Sequence, residues 1–144
     1  MTPIKHLLHI NTPKEAVYAA LTTPEKLSAW YTTLVKGSFE LGQTVTFEFI
    51  NLGVFQFKII EMEPCSRIYF ECVDSPWDTL GHLMKYDLDV NADKTRVRYS
   101  YEGFAEMDDA YANMNYSAAK YLESLRQYCQ KGIGEACGSK NYRS

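Results

Sequence analysis

From Leu34 to Gly103 apolar residues recur at every second position, and after Gly103 the period changes to 3.6. Met107, Ala110, Tyr111, Met114, Ala118, Tyr121, Leu122, Leu125 and Cys129 then share one helical stripe. A run of strands followed by one long helix leaves few solutions. The strands pair as an antiparallel sheet with one apolar face, and only the last helix is long enough to cover it. The spacing predicts about six strands in this block and a final helix of about 24 residues, some 36 Å long. Lys131-Gly132-Ile133 supplies its stop, with Gly132 in the left-handed cap and an apolar residue after it.

Two hairpins are readable in register. Asn91-Ala92-Asp93-Lys94 joins His82–Val90 to Thr95–Gly103. Pairing residue 90 with 95 sets Leu88 against Val97, Tyr86 against Tyr99 and Met84 against Tyr101. It also sets Asp87 against Arg98 and Asp89 against Arg96 on the other face. A one-residue slip would invert both faces together. In the earlier hairpin, Asn51-Leu52-Gly53 reads as a three-residue loop with Gly53 in the left-handed position. That pairs Phe49 with Phe55, Phe47 with Phe57 and Val45 with Ile59. Ile68, Phe70 and Cys72 face inward on the strand after Glu63-Pro64.

The N-terminal part reads as a strand, Ile4 to Ile10, and two short helices. Thr12-Pro13-Lys14-Glu15 has the form of a capping box, with Thr12 as cap and Pro13 at the first helical position. Val17, Ala20 and Leu21 form the buried side of this helix. Thr23-Pro24 starts the second, whose apolar side is Leu27, Trp30 and Tyr31. One domain is expected over Met1 to Ile133, with the polar stretch Gly134 to Ser144 as a loose tail.

Composition narrows the function classes. The chain has 144 residues, 14% of them aromatic, and a formal charge of −3. The aromatic content excludes disorder, and the mild acidity excludes the basic patch a nucleic-acid binder needs. No apolar run approaches the ~18 residues of a membrane span. No export signal is readable at the start, because His6, His9 and Asn11 interrupt it, so the expected location is the cytoplasm. Cys65, Cys72, Cys129 and Cys137 show neither C-x-x-C spacing nor a zinc-finger histidine, and are expected as reduced thiols with no metal. No serine elbow, phosphate loop or H-E-x-x-H motif occurs, and no cofactor is implied.

The run T-P-K-E-A-V-Y-A-A-L-T-T-P-E-K-L-S-A-W-Y (Thr12 to Tyr31) resembles the opening of the START-like superfamily, also called SRPBCC, which includes polyketide cyclases and birch-pollen-allergen-like proteins. Within it the sequence is most similar to the family resembling the C-terminal domain of the heat-shock-protein-90 ATPase activator. Y-L-E-S-L-R-Q-Y-C-Q-K-G (Tyr121 to Gly132) resembles that family's final helix. The resemblance implies an α+β helix-grip fold. In it a curved antiparallel sheet of six or seven strands wraps the long C-terminal helix, with two short helices after the first strand. It also implies a cavity between sheet and helix.

The inward residues of the last two strands include Tyr86, Tyr99, Tyr101 and His82. Polar groups placed together on an apolar face are expected to share water or a ligand, since an unpartnered buried hydroxyl costs about 1–3 kcal/mol. The expected walls of a ligand site are Phe47, Phe55, Phe57, Phe70, Met84, Tyr99, Tyr101, Tyr111 and Met114, with His82 and Tyr86 as polar contacts. The expected ligand is a small hydrophobic or aromatic molecule. A second reading is a chaperone-activator-like interaction domain with a chaperone as partner. A third is a cyclase- or hydrolase-like enzyme using His82 as general base.

Overall fold

The structure, a computed structural model, describes residues 2–143. Strand β1 (Ile4–Ile10) is followed by helices α1 (Lys14–Thr22) and α2 (Pro24–Trp30). Six strands come next: β2 (Leu34–Lys36), β3 (Thr44–Phe49), β4 (Gly53–Glu63), β5 (Arg67–Asp74), β6 (Leu83–Asn91) and β7 (Lys94–Glu102). Helix α3 (Asp109–Lys131) is last. All seven strands lie in one antiparallel sheet, in the order β1-β7-β6-β5-β4-β3-β2. Strands β2 to β7 form a meander, and β1 closes onto β7. This is the α+β helix-grip architecture implied by the sequence. Among the described residues, no helix is long and apolar enough to cross a membrane.

The β6–β7 hairpin has the expected register, with Tyr86 opposite Tyr99, Met84 opposite Tyr101 and Asp89 opposite Arg96. On its outer face Arg96 grips Asp89 through two hydrogen bonds of 2.9 and 2.7 Å, and Arg98 adds a third at 3.1 Å. These hold the Asp89 carboxyl well below the usual carboxylate range.

The β3–β4 register differs from the expected one. Phe47 pairs with Phe55, Val45 with Phe57 and Phe49 with Gly53. The turn sits earlier: the Leu52 amide donates to the Phe49 carbonyl at 2.9 Å, and Asn51 takes the left-handed conformation at φ 65°. Asparagine tolerates that region well. The shift is two residues, so every ring keeps its face.

The capping box does not form either. The Thr12 hydroxyl donates instead to the Cys129 carbonyl at 3.0 Å, near the end of α3, and α1 has no side-chain cap. Thr12 therefore ties the first connector to the last helix. At the other end of α3, the Asp108 carboxylate accepts the Tyr111 amide at 3.0 Å. Gly132 closes the helix at φ 81°, as expected.

The stretch after α3, expected as loose, packs back onto α2. Ala136 and Cys137 are buried. The Cys137 amide donates to the Tyr31 carbonyl at 2.9 Å, and the Cys137 carbonyl accepts from the Thr33 amide at 3.0 Å. Gly134 makes the crossing feasible: a Cβ there would lie 2.6 Å from the Ala29 carbonyl oxygen and 2.8 Å from Trp30 Cα. The polar composition of the segment hid these two small apolar anchors. Met1 and Ser144, the outer limits of the expected domain and tail, lie outside the described residues.

Helix α3 packs most closely along β1, braced from the side by α1 and α2. It stands off the middle strands and leaves a space between them and itself.

Candidate functional site

The inward face of the sheet divides into a packed half and an open half. In the packed half Phe39, Phe47, Phe57 and Phe70 meet edge to face, with centroids 5.9 to 6.4 Å apart. Phe47 and Phe70 are 1% and 2% exposed, so their rings are committed to one another. Such tilted contacts suit the aromatic quadrupole, and they leave no room.

In the open half, between β3–β7 and α3, lies a cavity of about 390 Å³. The strands contribute Phe49, Phe55, Phe57, Met84, Tyr86, Tyr99 and Tyr101. Helix α3 contributes Met114, Ser117, Ala118, Tyr121 and Leu122, the residues that recur at three- and four-residue spacing on one side. Trp77, Asp78 and Thr79 enter from the β5–β6 loop, and Leu52 from the β3–β4 turn. Trp77 is 41% exposed and packs on Phe55 at 5.1 Å, which places it at the mouth.

Of the residues expected to form a site, Phe55, Phe57, Met84, Tyr86, Tyr99, Tyr101 and Met114 come together around this cavity. Phe47 and Phe70 do not line it, for the packing reason above. Tyr111 turns away: its hydroxyl donates to the Pro3 carbonyl at 3.2 Å and its ring packs on Phe104. His82 also stands outside the lining, behind Tyr101. Its Nδ1 is 3.1 Å from the Tyr101 hydroxyl, and its ring packs on Tyr101 and Phe104. Gly103 makes that placement feasible, because at φ 143° a Cβ would lie 2.2 Å from His82 Cδ2. Burial pulls the His82 imidazole below its ordinary value of 6.5, against the opposing pull of Asp78.

Sequence reasoning missed a second aromatic corner. Tyr31, at the end of α2, meets Phe49 at 5.2 Å and Tyr121 at 5.0 Å, and Tyr142 stacks on Tyr121 at 6.4 Å. Tyr121 was on the predicted helical stripe with Met114 and Ala118, a usable signal. Tyr142, from the segment that folds back, carried none.

The electrostatics are those of a mostly apolar chamber with one acidic residue, Asp78, among its described lining. Burial pushes the hydroxyls of Tyr31, Tyr86, Tyr99 and Tyr101 above the ordinary tyrosine value of 10.0. They are neutral hydrogen-bonding groups across the physiological range. Such a lining can hold an apolar body and direct a few hydroxyls at it. Two histidines face this side of the sheet and neither lines the cavity: His82 lies behind Tyr101, and His6 packs on Tyr99 with ring centroids 6.2 Å apart, while Asp78 is the one carboxylate among the described lining residues.

Comparison with known proteins agrees with this architecture. The model of the family described as "Activator of Hsp90 ATPase homolog 1-like protein" matches residues 11–130. No curated protein matches the sequence. The solution structure of the Aha1 dimer from Colwellia psychrerythraea is similar at 28% identity and a TM-score of 0.86, over 93% of this chain and 100% of that one. A crystal structure of the Staphylococcus saprophyticus protein SSP2350 has 20% identity and a TM-score of 0.78, over 94% and 97%. CalU16 from Micromonospora echinospora has 16% identity and a TM-score of 0.74, over 90% and 77%, a likeness of fold. A family match that begins directly after β1 and runs almost to the end of α3, on a START-like fold, makes this chain a member of the Activator of Hsp90 ATPase homolog 1-like family.

Proposed function

We propose that this domain binds a small hydrophobic or aromatic molecule in the cavity between the sheet and α3. The carrying observation is the cavity's size and lining: about 390 Å³ walled by aromatic rings, methionines and a few hydroxyls. Ligand pockets are typically ~300–1,000 Å³, mostly apolar, with a few placed polar groups. A ligand seated there would replace water against these rings, and removal of apolar surface from water is the main favourable term in such binding.

Thermal unfolding against a panel of uncharged aromatic compounds tests this reading. A ligand at 100 times its Kd adds about 2.7 kcal/mol, equivalent to a Tm rise of about 6–10 °C for a domain of this size. A cooperative transition that no compound moves would refute it.

Family membership supports a second reading, in which the outer surface serves a protein partner and the cavity is incidental. A chaperone ATPase is the partner this would predict, and it would be accelerated on addition of the domain. The enzyme reading that rested on His82 has no support from its position, since Tyr101 separates it from the cavity.

A further inference from the structure

The chemistry of the lining narrows the ligand class. Tyr86 and Tyr99 are 4% and 5% exposed, with their rings 5.2 Å apart and both on the cavity wall. The Tyr86 hydroxyl finds only the Met84 sulfur, at 4.0 Å, and the Tyr31 hydroxyl approaches the same sulfur at the same distance. A thioether is a weak acceptor, so both hydroxyls remain poorly satisfied. Tyr99 makes no side-chain hydrogen bond with the described residues. Its oxygen is nevertheless not sealed in: His6 Nε2 is the only fully enclosed side-chain polar atom without a partner among the described residues. The Tyr99 hydroxyl thus reaches the open space of the cavity. Tyr101 differs, because His82 already occupies its hydroxyl.

Three donors that lack a good acceptor face one chamber. The charge inventory is equally specific. Among the described residues lining the cavity, Asp78 is the only charged one, and no lysine or arginine is present. An entering carboxylate would lose its water, meet Asp78 at like charge and find no cation. A neutral oxygen acceptor carries no charge to desolvate or to set against Asp78, and a hydrogen bond from the hydroxyls offsets its smaller loss of hydration.

We propose that the cavity selects an uncharged aromatic molecule bearing a carbonyl-type oxygen, held by the Tyr99 and Tyr86 hydroxyls, and rejects aromatic carboxylates. This rests on the binding role proposed above.

The test uses the full chain and three naphthalenes substituted at the same ring position: the methyl ketone, the ethyl compound and the carboxylate. Titration at neutral pH should give the ketone about 10-fold tighter binding than the ethyl compound, from one good hydrogen bond. The carboxylate should bind about 100-fold more weakly than the ketone. Tyr99→Phe and Tyr86→Phe, each checked by its melting curve, should lower ketone affinity toward that of the ethyl compound and leave the latter unchanged. Equal affinities for ketone and ethyl compound, or carboxylate binding as tight as the ketone's, would overturn the selectivity while the binding role stands. If none of the three binds, the binding role itself falls, and the selectivity with it.

Discussion

Replacing Trp30 by alanine is expected to cost about 3–5 kcal/mol of stability, the range for a large aromatic lost from a packed core. Trp30 is fully buried at the end of α2. Its indole N–H donates to the Ala20 carbonyl at 2.8 Å, and the Ser124 hydroxyl of α3 donates to its own carbonyl at 2.8 Å. The chain after α3 crosses directly over it at Gly134. Removing the indole therefore opens a void where α1, α2, α3 and the returning segment meet, and strands a buried carbonyl as well. Trp30→Phe keeps most of the packing and should cost less, with the lost hydrogen bond contributing about 1–3 kcal/mol. Urea titration measures both. A loss below about 1 kcal/mol for the alanine variant would mean that this junction does not hold the helices to the sheet.

The second large effect concerns the cavity. Ala118 lies midway along α3, buried and on the cavity wall. Ala118→Phe would project a ring into the space. Because the ring enters a gap and not packed atoms, stability should change by less than about 1 kcal/mol, the helix-propensity difference included. A bound molecule would now collide with it, and overpacking costs about 1–3 kcal/mol. Affinity should fall by about 30-fold or more, and the ligand-induced rise in Tm should vanish. The two readouts separate the roles of α3: a variant that loses ligand response but keeps its melting temperature has lost the chamber and not the fold.

How much of this was legible from residues alone follows from how each feature is encoded. The β6–β7 hairpin carries information on both faces, rings inward and Asp–Arg pairs outward, and its register was readable to the residue. The β3–β4 hairpin carries a face pattern only. Alternation fixes register modulo two, and the choice between Asn51 and Gly53 as the left-handed residue decided the rest. Capping was misread because Thr12 has a distant competitor, the Cys129 carbonyl, that no local pattern reveals.

The site was half legible for a similar reason. Phe47, Phe55, Phe57 and Phe70 all point inward, and alternation cannot tell which meet other rings and which meet open space. That depends on where α3 lifts from the sheet. Tyr142 reaches the cavity from a segment read as loose, where periodicity has nothing to say, and Tyr31 lies on the apolar side read for α2, a pattern that does not tell a ring in the core from one on the cavity wall. His82 was correctly placed on the inward side, but its distance from the cavity is set by Tyr101 and Gly103 in three dimensions.

Entry of an apolar molecule into the space between sheet and α3 can be read from the methionine methyl groups. Met84 and Met114 line the cavity, and Met62 and Met107 do not. With carbon-13-labelled methionine methyls, titration with the naphthyl ketone should shift the Met84 and Met114 signals through ring currents and leave Met62 and Met107 in place. Shifts confined to Met107, or no shift at any methionine at saturating ketone, would mean that the ketone does not enter this space.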